Sequence, residues 1–388
     1  IGVDQDGDRQ GVEIGYYYGA YLLPDIQNST ISGLSSIGVS HGYKNTFSNI
    51  NNWEADMFTI KNNDISHYNT ANMIESSSHR YEDMCMIVAG SNVIIEGNTV
   101  TGCDVGVFLQ RTPYNYYHNQ SYWGADDAVI KDNDFVNTVG LDIWFYLSAY
   151  NEGTVISGNT MSGSSSPSYG IYTQDATTTD LTITGNTISN AENSIYMRGA
   201  TDWTITDNII NGLGDASYAG IYTMNGYGDI SGNTLTDADG GILIDGVKYG
   251  FDVNLTDNTI GQSAGRTAPA AVGIWAEDCG SSGINTGGND ITIMENAIVT
   301  DGCDLYDTGS TLTAIGGSGG TVHSVQQNAN AFNPENITIS EGDTIRWRSN
   351  AYYNNSGVGE THNVVFDDGA TSGNMNLGST WTRTFTTA

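Results

Sequence analysis

Cationic side chains are scarce in this chain: 12 Lys and Arg stand against 44 Asp and Glu, a formal charge of −32 over 388 residues. Nucleic acids are held by clustered cations, so they are excluded as partners, and the same deficit argues against anionic membrane surfaces. Acidity of this degree fits a protein adapted to high salt or sea water, a calcium-binding surface protein, or both. No apolar run reaches the roughly 18 residues that a membrane span needs, so no membrane insertion is expected. Apolar residues at helical spacing are missing throughout, which removes amphipathic helices from consideration. Metal-hydrolase and phosphate-loop motifs are absent, and the six histidines are isolated. The sequence starts at Ile1 with neither an initiator methionine nor a signal peptide, from which a processed or partial product is expected.

What is present is a repeat, clearest at Leu181 to Ile188 (L-T-I-T-G-N-T-I). Aligned on its asparagine, the unit recurs at Asn63, Asn98, Asn133, Asn159, Asn186, Asn208, Asn233, Asn258 and Asn296, at intervals of 22 to 38 residues. An aliphatic residue stands three positions before each asparagine, and Ile65, Val100, Phe135, Met161, Ile188, Ile210, Leu235, Ile260 or Ile298 two positions after it. A second segment in most periods runs Gly-aliphatic-aromatic, as in Gly170-Ile171-Tyr172 and Gly220-Ile221-Tyr222, with Asp142-Ile143-Trp144, Ser194-Ile195-Tyr196 and Gly241-Ile242-Leu243 as variants. Two short β-segments per period, punctuated by Gly, Asn, Asp and Ser, predict a solenoid whose coils share one core. Stacked at about 4.8 Å per rung, the aliphatic positions form inward ladders and the asparagines pair amide on amide at one turn.

The same alternation predicts that Phe108, Trp144, Tyr172, Tyr196, Tyr222, Leu243 and Trp275 point outward, as an exposed contact stripe some ~30 Å long. Longer intervals mark insertions at Tyr68 to Met84, Thr112 to Asp127 and Gly261 to Val272. The second of these carries Tyr114, Tyr116, Tyr117, Tyr122 and Trp123, rings on which a glycan or a protein docks. Residues 22 to 57 repeat poorly and are expected to form an N-terminal end coil, after an irregular strand pair over Gly11 to Tyr21. Cys85 and Cys103 flank one repeat and Cys279 and Cys303 another, so each pair spans about one coil. Two disulfides clamping neighbouring rungs, and hence an oxidising compartment, follow from that spacing. Asp4, Asp6 and Asp8 alternate around Gly7 as oxygen ligands do in a calcium loop, but the twelfth position is Gly15 rather than an acid, so the stretch reads either as a partial Ca²⁺ site or as a solvated acidic turn. Sequons at Asn28, Asn119, Asn254, Asn336 and Asn354 permit glycosylation in a secreted glycoprotein. Ile315 to Gly320 has the composition of a flexible linker.

The stacked aliphatic and asparagine positions resemble the right-handed parallel β-helix of the pectate-lyase-like superfamily, a fold that hosts lyases, hydrolases, epimerases, phage spikes and adhesins. After the linker, the string from Phe332 and Pro334 through Ile337, Ile339, Gly342, Asp343, Ile345 and Trp347 to His362-Asn363-Val364-Val365-Phe366 is similar to the plastocyanin and halocyanin branch of the cupredoxins. The resemblance implies an all-β chain in three parts: a β-helix over 1–315, a Gly/Ser linker over 316–320, and an incomplete cupredoxin-like β-sandwich over 321–388. His362 matches that family's first copper ligand. The remaining Cys, His and Met ligands fall beyond Ala388 and Met375 is not in the matching place, so a copper site requires that the chain continue. A sandwich missing its last strand also leaves a groove that a neighbouring molecule is expected to fill.

Catalytic patterns are thin. Polygalacturonase-like sets are not found beyond Asp126-Asp127, and in Tyr249-Gly250-Phe251-Asp252, the start of an alginate-epimerase-like motif, Val253 and Asn254 follow where Pro and His belong. The scattered bases form no cationic cleft for a polyuronate. The expected function is therefore a non-catalytic extracellular or cell-surface protein, structural or adhesive, that assembles with copies of itself or with another surface protein into a filament or layer. The alternative is a carbohydrate-active enzyme, a polysaccharide lyase or glycoside hydrolase, or a glycan-binding module. No cofactor is required by either, with Ca²⁺ as the candidate ion.

Overall fold

The computed structural model describes residues 12–15, 26–33, 37–40, 58–67, 84–89, 92–103, 105–109, 126–138, 141–145, 150–163, 169–173, 177–212, 219–238, 240–263, 272–279, 282–294, 296–301, 303–314, 322–328, 331–333, 344–349, 363–366, 368–373, 375 and 380–385. Its described secondary structure is all β. Three parallel sheets of 11 strands each run the length of the repeat, one strand per sheet per coil. Each coil therefore contains three strands, not two. The unit Leu181 to Ile188 is itself a corner, in which Thr182–Thr184 on one face turns at Gly185-Asn186 into Thr187–Ala191 on the next. The third strand, here Asn193–Arg198, carries the aromatic position. It is called below the aromatic face.

The corner explains the sequence pattern. The residue before each ladder asparagine has a left-handed backbone, with φ of 56° at Asn62, 66° at Gly97, 64° at Gly185 and 55° at Asp207. Only Gly, Asn or Asp occupies that position from coil to coil, because other side chains clash there. The asparagine then points inward. Its backbone N–H and its Nδ2 both donate to Oδ1 of the asparagine one coil on, at 3.0 and 3.0 Å from Asn186 to Asn208, while Nδ2 also reaches the carbonyl of Ile156 one coil back at 3.0 Å. The ladder amides are thereby answered within the stack. Two expectations are corrected here. The ladder's last asparagine is Asn289, which accepts from Asn258 at 2.9 Å, whereas Asn296 opens a strand of the aromatic face. The N-terminal coil is regular in its described parts: Ile26–Gln27, Thr30–Gly33 and Ile37–Ser40 each pair with the following coil, Ser29 takes the asparagine position, and Val12–Gly15 pairs in parallel with Ile37–Ser40, while the rest of the expected strand pair, residues 16–21, lies outside the described residues. Ser310 stands beyond Asn289 at the far end, accepting from its Nδ2 at 3.3 Å.

Inside, columns such as Ile156, Ile183, Ile205, Ile230 and Leu255 are wholly buried, as are Met161, Ile188, Ile210, Leu235 and Ile260 on the next face. Each such side chain contributes about 1.5–3 kcal/mol through burial, so the solenoid is held by repetition of one modest gain. The two expected disulfides, Cys85–Cys103 and Cys279–Cys303, are both present, with Cα atoms 5.8 and 4.9 Å apart. The second joins equivalent positions on adjacent rungs, since Glu277 and Asp301, two residues earlier in each case, are register partners. The first does not, because Cys103 lies two residues before Val105, the register partner of Met84.

Beyond the coils, Val322–Asn328, Ala331–Asn333, Thr344–Ser349 and Thr380–Thr384 form a separate four-stranded mixed sheet. Its core is Ile345, Trp347, Val364 and Met375, with Phe366, Trp381 and Phe385 packed against it. Val322–Asn328 lies alongside Asn296–Asp301, the final strand of the aromatic face.

Candidate binding face

On the aromatic face Ile143, Ile171, Ile195 and Ile221 point inward, which sends the residue after each outward. Register places Phe108, Trp144, Tyr172, Tyr196, Tyr222, Leu243, Trp275 and Val299 in one outward column. The rings touch in sequence, with centroids 4.9 Å apart for Phe108 and Trp144, 6.3 Å for Trp144 and Tyr172, 5.1 Å for Tyr172 and Tyr196, and 4.7 Å for Tyr196 and Tyr222. Tilted and edge contacts at these spacings are favourable by about 0.5–1.5 kcal/mol per pair.

The expected exposure of this column is corrected. Phe108, Trp144, Tyr222 and Leu243 are buried, Tyr172 and Tyr196 half-buried, and Trp275 is exposed at 38%. The rings bury one another and form a second apolar layer outside the sheet, with Val105 and Leu141 beside Phe108 and Trp144. Alternation fixed their direction but not their surroundings. Tyr169, which the repeat did not single out, meets Tyr172 in a tilted contact and Tyr196 edge-on, with centroids 5.1 and 5.8 Å apart. Burial pushes the phenols of Tyr169 and Tyr196 above the usual tyrosine range.

Two residues further along each strand, Arg198, Met224, Asp245, Glu277 and Asp301 form a parallel column. Tyr222 Oη donates to Asp245 Oδ2 at 2.8 Å, tying the ring column to the acidic one. At one edge of the coils Asp126 accepts from the backbone N–H of Glu152 at 3.1 Å; burial, and secondarily the neighbouring Asp127 and Glu152 charges, raise its pKa above the ordinary carboxylate range despite that bond.

Asp4, Asp6 and Asp8, the loop rings Tyr116, Tyr117 and Trp123, and His362 lie outside the described residues. All four cysteines are held in disulfides, and among the described residues no group of three His, Cys, Asp or Glu is placed to hold a metal ion. Met375 sits in the C-terminal apolar core. Among the described residues no helix is long and apolar enough to cross a membrane.

These features define the class: a parallel β-helix of the right-handed kind, as expected of parallel strands joined by crossovers. A family profile described as "Right handed beta helix region" matches residues 147–313. The profile described as "Periplasmic copper-binding protein (NosD)" matches residues 12–216, more than half of the chain, and the chain belongs to that family. The described residues do not supply a copper centre: no three His, Cys, Asp or Glu among them converge, and the cysteines are bonded in pairs. No curated protein matches the chain. Among solved structures it is similar to an alginate lyase from Paenibacillus sp. str. FPU-7, with 13% identity over 74% of this chain and 92% of that one and a TM-score of 0.48. It is also similar to the catalytic unit of a GH87 alpha-1,3-glucanase from Streptomyces thermodiastaticus strain HF3-3, at 14% identity, 75% and 62% coverage and a TM-score of 0.42. The Streptococcus pneumoniae surface protein and adhesin PfbA matches at 9% identity, 74% and 91% coverage and a TM-score of 0.33.

Proposed function

We propose that this protein is a non-catalytic adhesive or structural protein of the secreted or periplasmic space, displayed at the cell surface, whose aromatic face is its contact surface for glycan or protein. The location is supported by the two disulfides and by the periplasmic description of the family. The observation that carries the role is the outward ring column, which runs buried along the first coils and opens at Trp275 beside Asp245 and Glu277. A rigid rod presenting rings on one side suits repeated contacts along an extended partner. The acidic surface then works screened by salt or Ca²⁺, and we read the chain as a β-helix over 1–315, a linker over 316–320 and a cupredoxin-like sandwich over 321–388, with self-assembly through open strand edges.

The test has two parts. Sedimentation and electron microscopy of the native protein across salt should reveal an ordered polymer, and a monodisperse monomer at every salt concentration would refute assembly. Trp275→Ala should weaken retention on the immobilised partner or polymer surface while leaving circular dichroism unchanged; undiminished retention removes this face from the contact. A second reading, a glycoside-cleaving enzyme, is favoured by Asp245 and Glu277 being register partners on adjacent strands. That places two carboxylates about one rung, ~4.8 Å, apart in backbone terms, close to the separation used by retaining glycosidases. Release of reducing ends that Glu277→Gln abolishes would establish it.

A further inference from the structure

A different corner of the solenoid collects exposed aromatic rings. Lys248 to Phe251 forms a tight turn between the strands Gly240–Val247 and Val253–Thr256, closed by the Phe251 N–H on the Lys248 carbonyl at 3.1 Å. Gly250, at φ 82°, supplies the left-handed residue the turn needs. The turn is pinned to its surroundings: Lys248 N–H donates to Gly226 O at 3.2 Å, Ser282 Oγ donates to Lys248 O at 3.2 Å, and Gly283 N–H donates to Asp252 Oδ1 at 2.9 Å. At its tip Tyr249 is 84% exposed. Phe251, 43% exposed, stacks against Tyr227 with centroids 4.0 Å apart and planes 12° apart, and Lys248 Nζ stands 5.7 Å from both rings.

Two rungs further on, Tyr306 is 58% exposed and leans over Gly283. A Cβ at Gly283 would stand 2.9 Å from Tyr306 Cε2 and 3.3 Å from Asp252 Oδ1, so the missing side chain is what lets the ring lie against the sheet near the turn. Three of the six large exposed hydrophobic residues among those described are thus gathered at one corner. Between them, on the outward side of the same sheet, Asn285 Nδ2 donates to Asn254 Oδ1 at 2.8 Å and Asn254 Nδ2 to Asp229 Oδ1 at 2.6 Å. Each amide spends one donor in this chain and keeps its second, with acceptor capacity, beside the rings.

We infer that the Tyr249, Phe251 and Tyr306 corner, with the Asp229, Asn254 and Asn285 row, is a binding site for an uncharged polysaccharide. A sugar ring offers an apolar C–H face and a rim of hydroxyls, which match open aromatic faces and preorganised amide and carboxylate groups. Tyr306 stands two rungs beyond the strand that follows Phe251, roughly 10 Å in backbone terms, the scale of two sugar units. Charge rules on the sign of the ligand. Asp229 and Asp252 flank the rings with Lys248 as the nearby cation, and the whole chain carries −32, so a polyuronate or sulfated glycan is repelled. A stable protein partner covers about 800 Å² per side, more than one turn and two rungs present.

The experiment is native affinity electrophoresis of the whole chain in gels containing hydroxyethyl cellulose, laminarin or dextran as uncharged probes and alginate as the charged one, with sedimentation run in parallel. At least one uncharged probe should retard the protein and alginate should not. Tyr249→Ala with Tyr306→Ala should weaken that retardation about tenfold, the scale of losing aromatic anchors, with an unchanged thermal midpoint because both rings are exposed. Trp275→Ala, on the aromatic face, should leave it intact, which separates this site from the proposed contact face. No retardation by any of the uncharged probes, stronger retardation by alginate, or equal retardation of the double variant overturns the inference. So does a double variant that changes only the sedimentation coefficient, which would make the corner a contact between protein copies.

Discussion

At the level of single residues, the ladder asparagines carry more than one bond each. Asn186 donates to Asn208 and to the Ile156 and Thr184 carbonyls, and accepts from Asn159. Asn186→Leu leaves buried donors and acceptors in both neighbouring coils without partners and should cost about 1–3 kcal/mol in urea denaturation. Asn211→Leu, at an exposed position on the face of Thr187–Ala191, is the control, and an equal loss there would deny the ladder its role. Asn190 is unsuited to that comparison because its φ of 59° makes any ordinary replacement strained. Asp126 gives a pH signature. Its folded-state pKa is raised, chiefly by burial, so between the ordinary carboxylate range and that higher value the native state holds the proton more tightly than the unfolded chain does. Stability from this group is present at low pH and declines as pH rises through the window. Asp126→Asn keeps an acceptor for the Glu152 N–H, and should flatten that part of a stability profile measured from pH 4 to 7; an unaltered profile would contradict the assignment.

At the level of elements, the ring column serves two purposes along its length. Trp144 is buried between Phe108 and Tyr172, whereas Trp275 is more than a third exposed. Trp144→Ala should therefore cost about 3–5 kcal/mol and Trp275→Ala distinctly less, about 1–2 kcal/mol, read as shifts in the denaturation midpoint. Comparable costs would mean that the column is one structural seam. The direction of every ring was legible from the Gly-aliphatic-aromatic pattern, since alternation across a strand is local geometry. Their burial was not, because it depends on rings one coil away and on the neighbouring column of Val105 and Leu141. Asn289 was missed for a comparable reason: Thr286 stands three residues before it where the other coils have Ile or Leu, so the aliphatic half of the signal is lost while the hydrogen bonds persist.

At the level of the whole molecule, the chain carries 44 acidic residues against 12 basic ones, most of them in the stacked coils, and their like charges repel along its length. Screening shortens that repulsion to about 10 Å at 0.1 M salt and 3 Å at 1 M, so the thermal midpoint should climb with added NaCl. A midpoint that falls or stays level would show that the acidic groups are already compensated within the fold. Lys61 and Lys131 illustrate local compensation, both pairing with Glu96, at 2.8 and 3.4 Å. Those bonds, led by Lys61, hold the Glu96 carboxyl below its usual range, although exposed pairs of this kind add little to stability.

The sequence by itself determined the solenoid, the inward aliphatic columns, the amide ladder and the pairing of the cysteines, because a repeated unit dictates the same local geometry in every coil and stacking then follows. Only the tertiary structure decided that each coil has three faces, that Ser29 and Ser310 stand at the ends of the asparagine row, that most of the ring column is covered, and that Tyr249, Phe251 and Tyr306 share a corner. Tyr249 and Phe251 fall outside the period and Tyr306 is 55 residues beyond Phe251 in sequence. What unites them is the stacking of rungs at about 4.8 Å, which brings distant residues side by side without leaving any mark on their spacing in the chain.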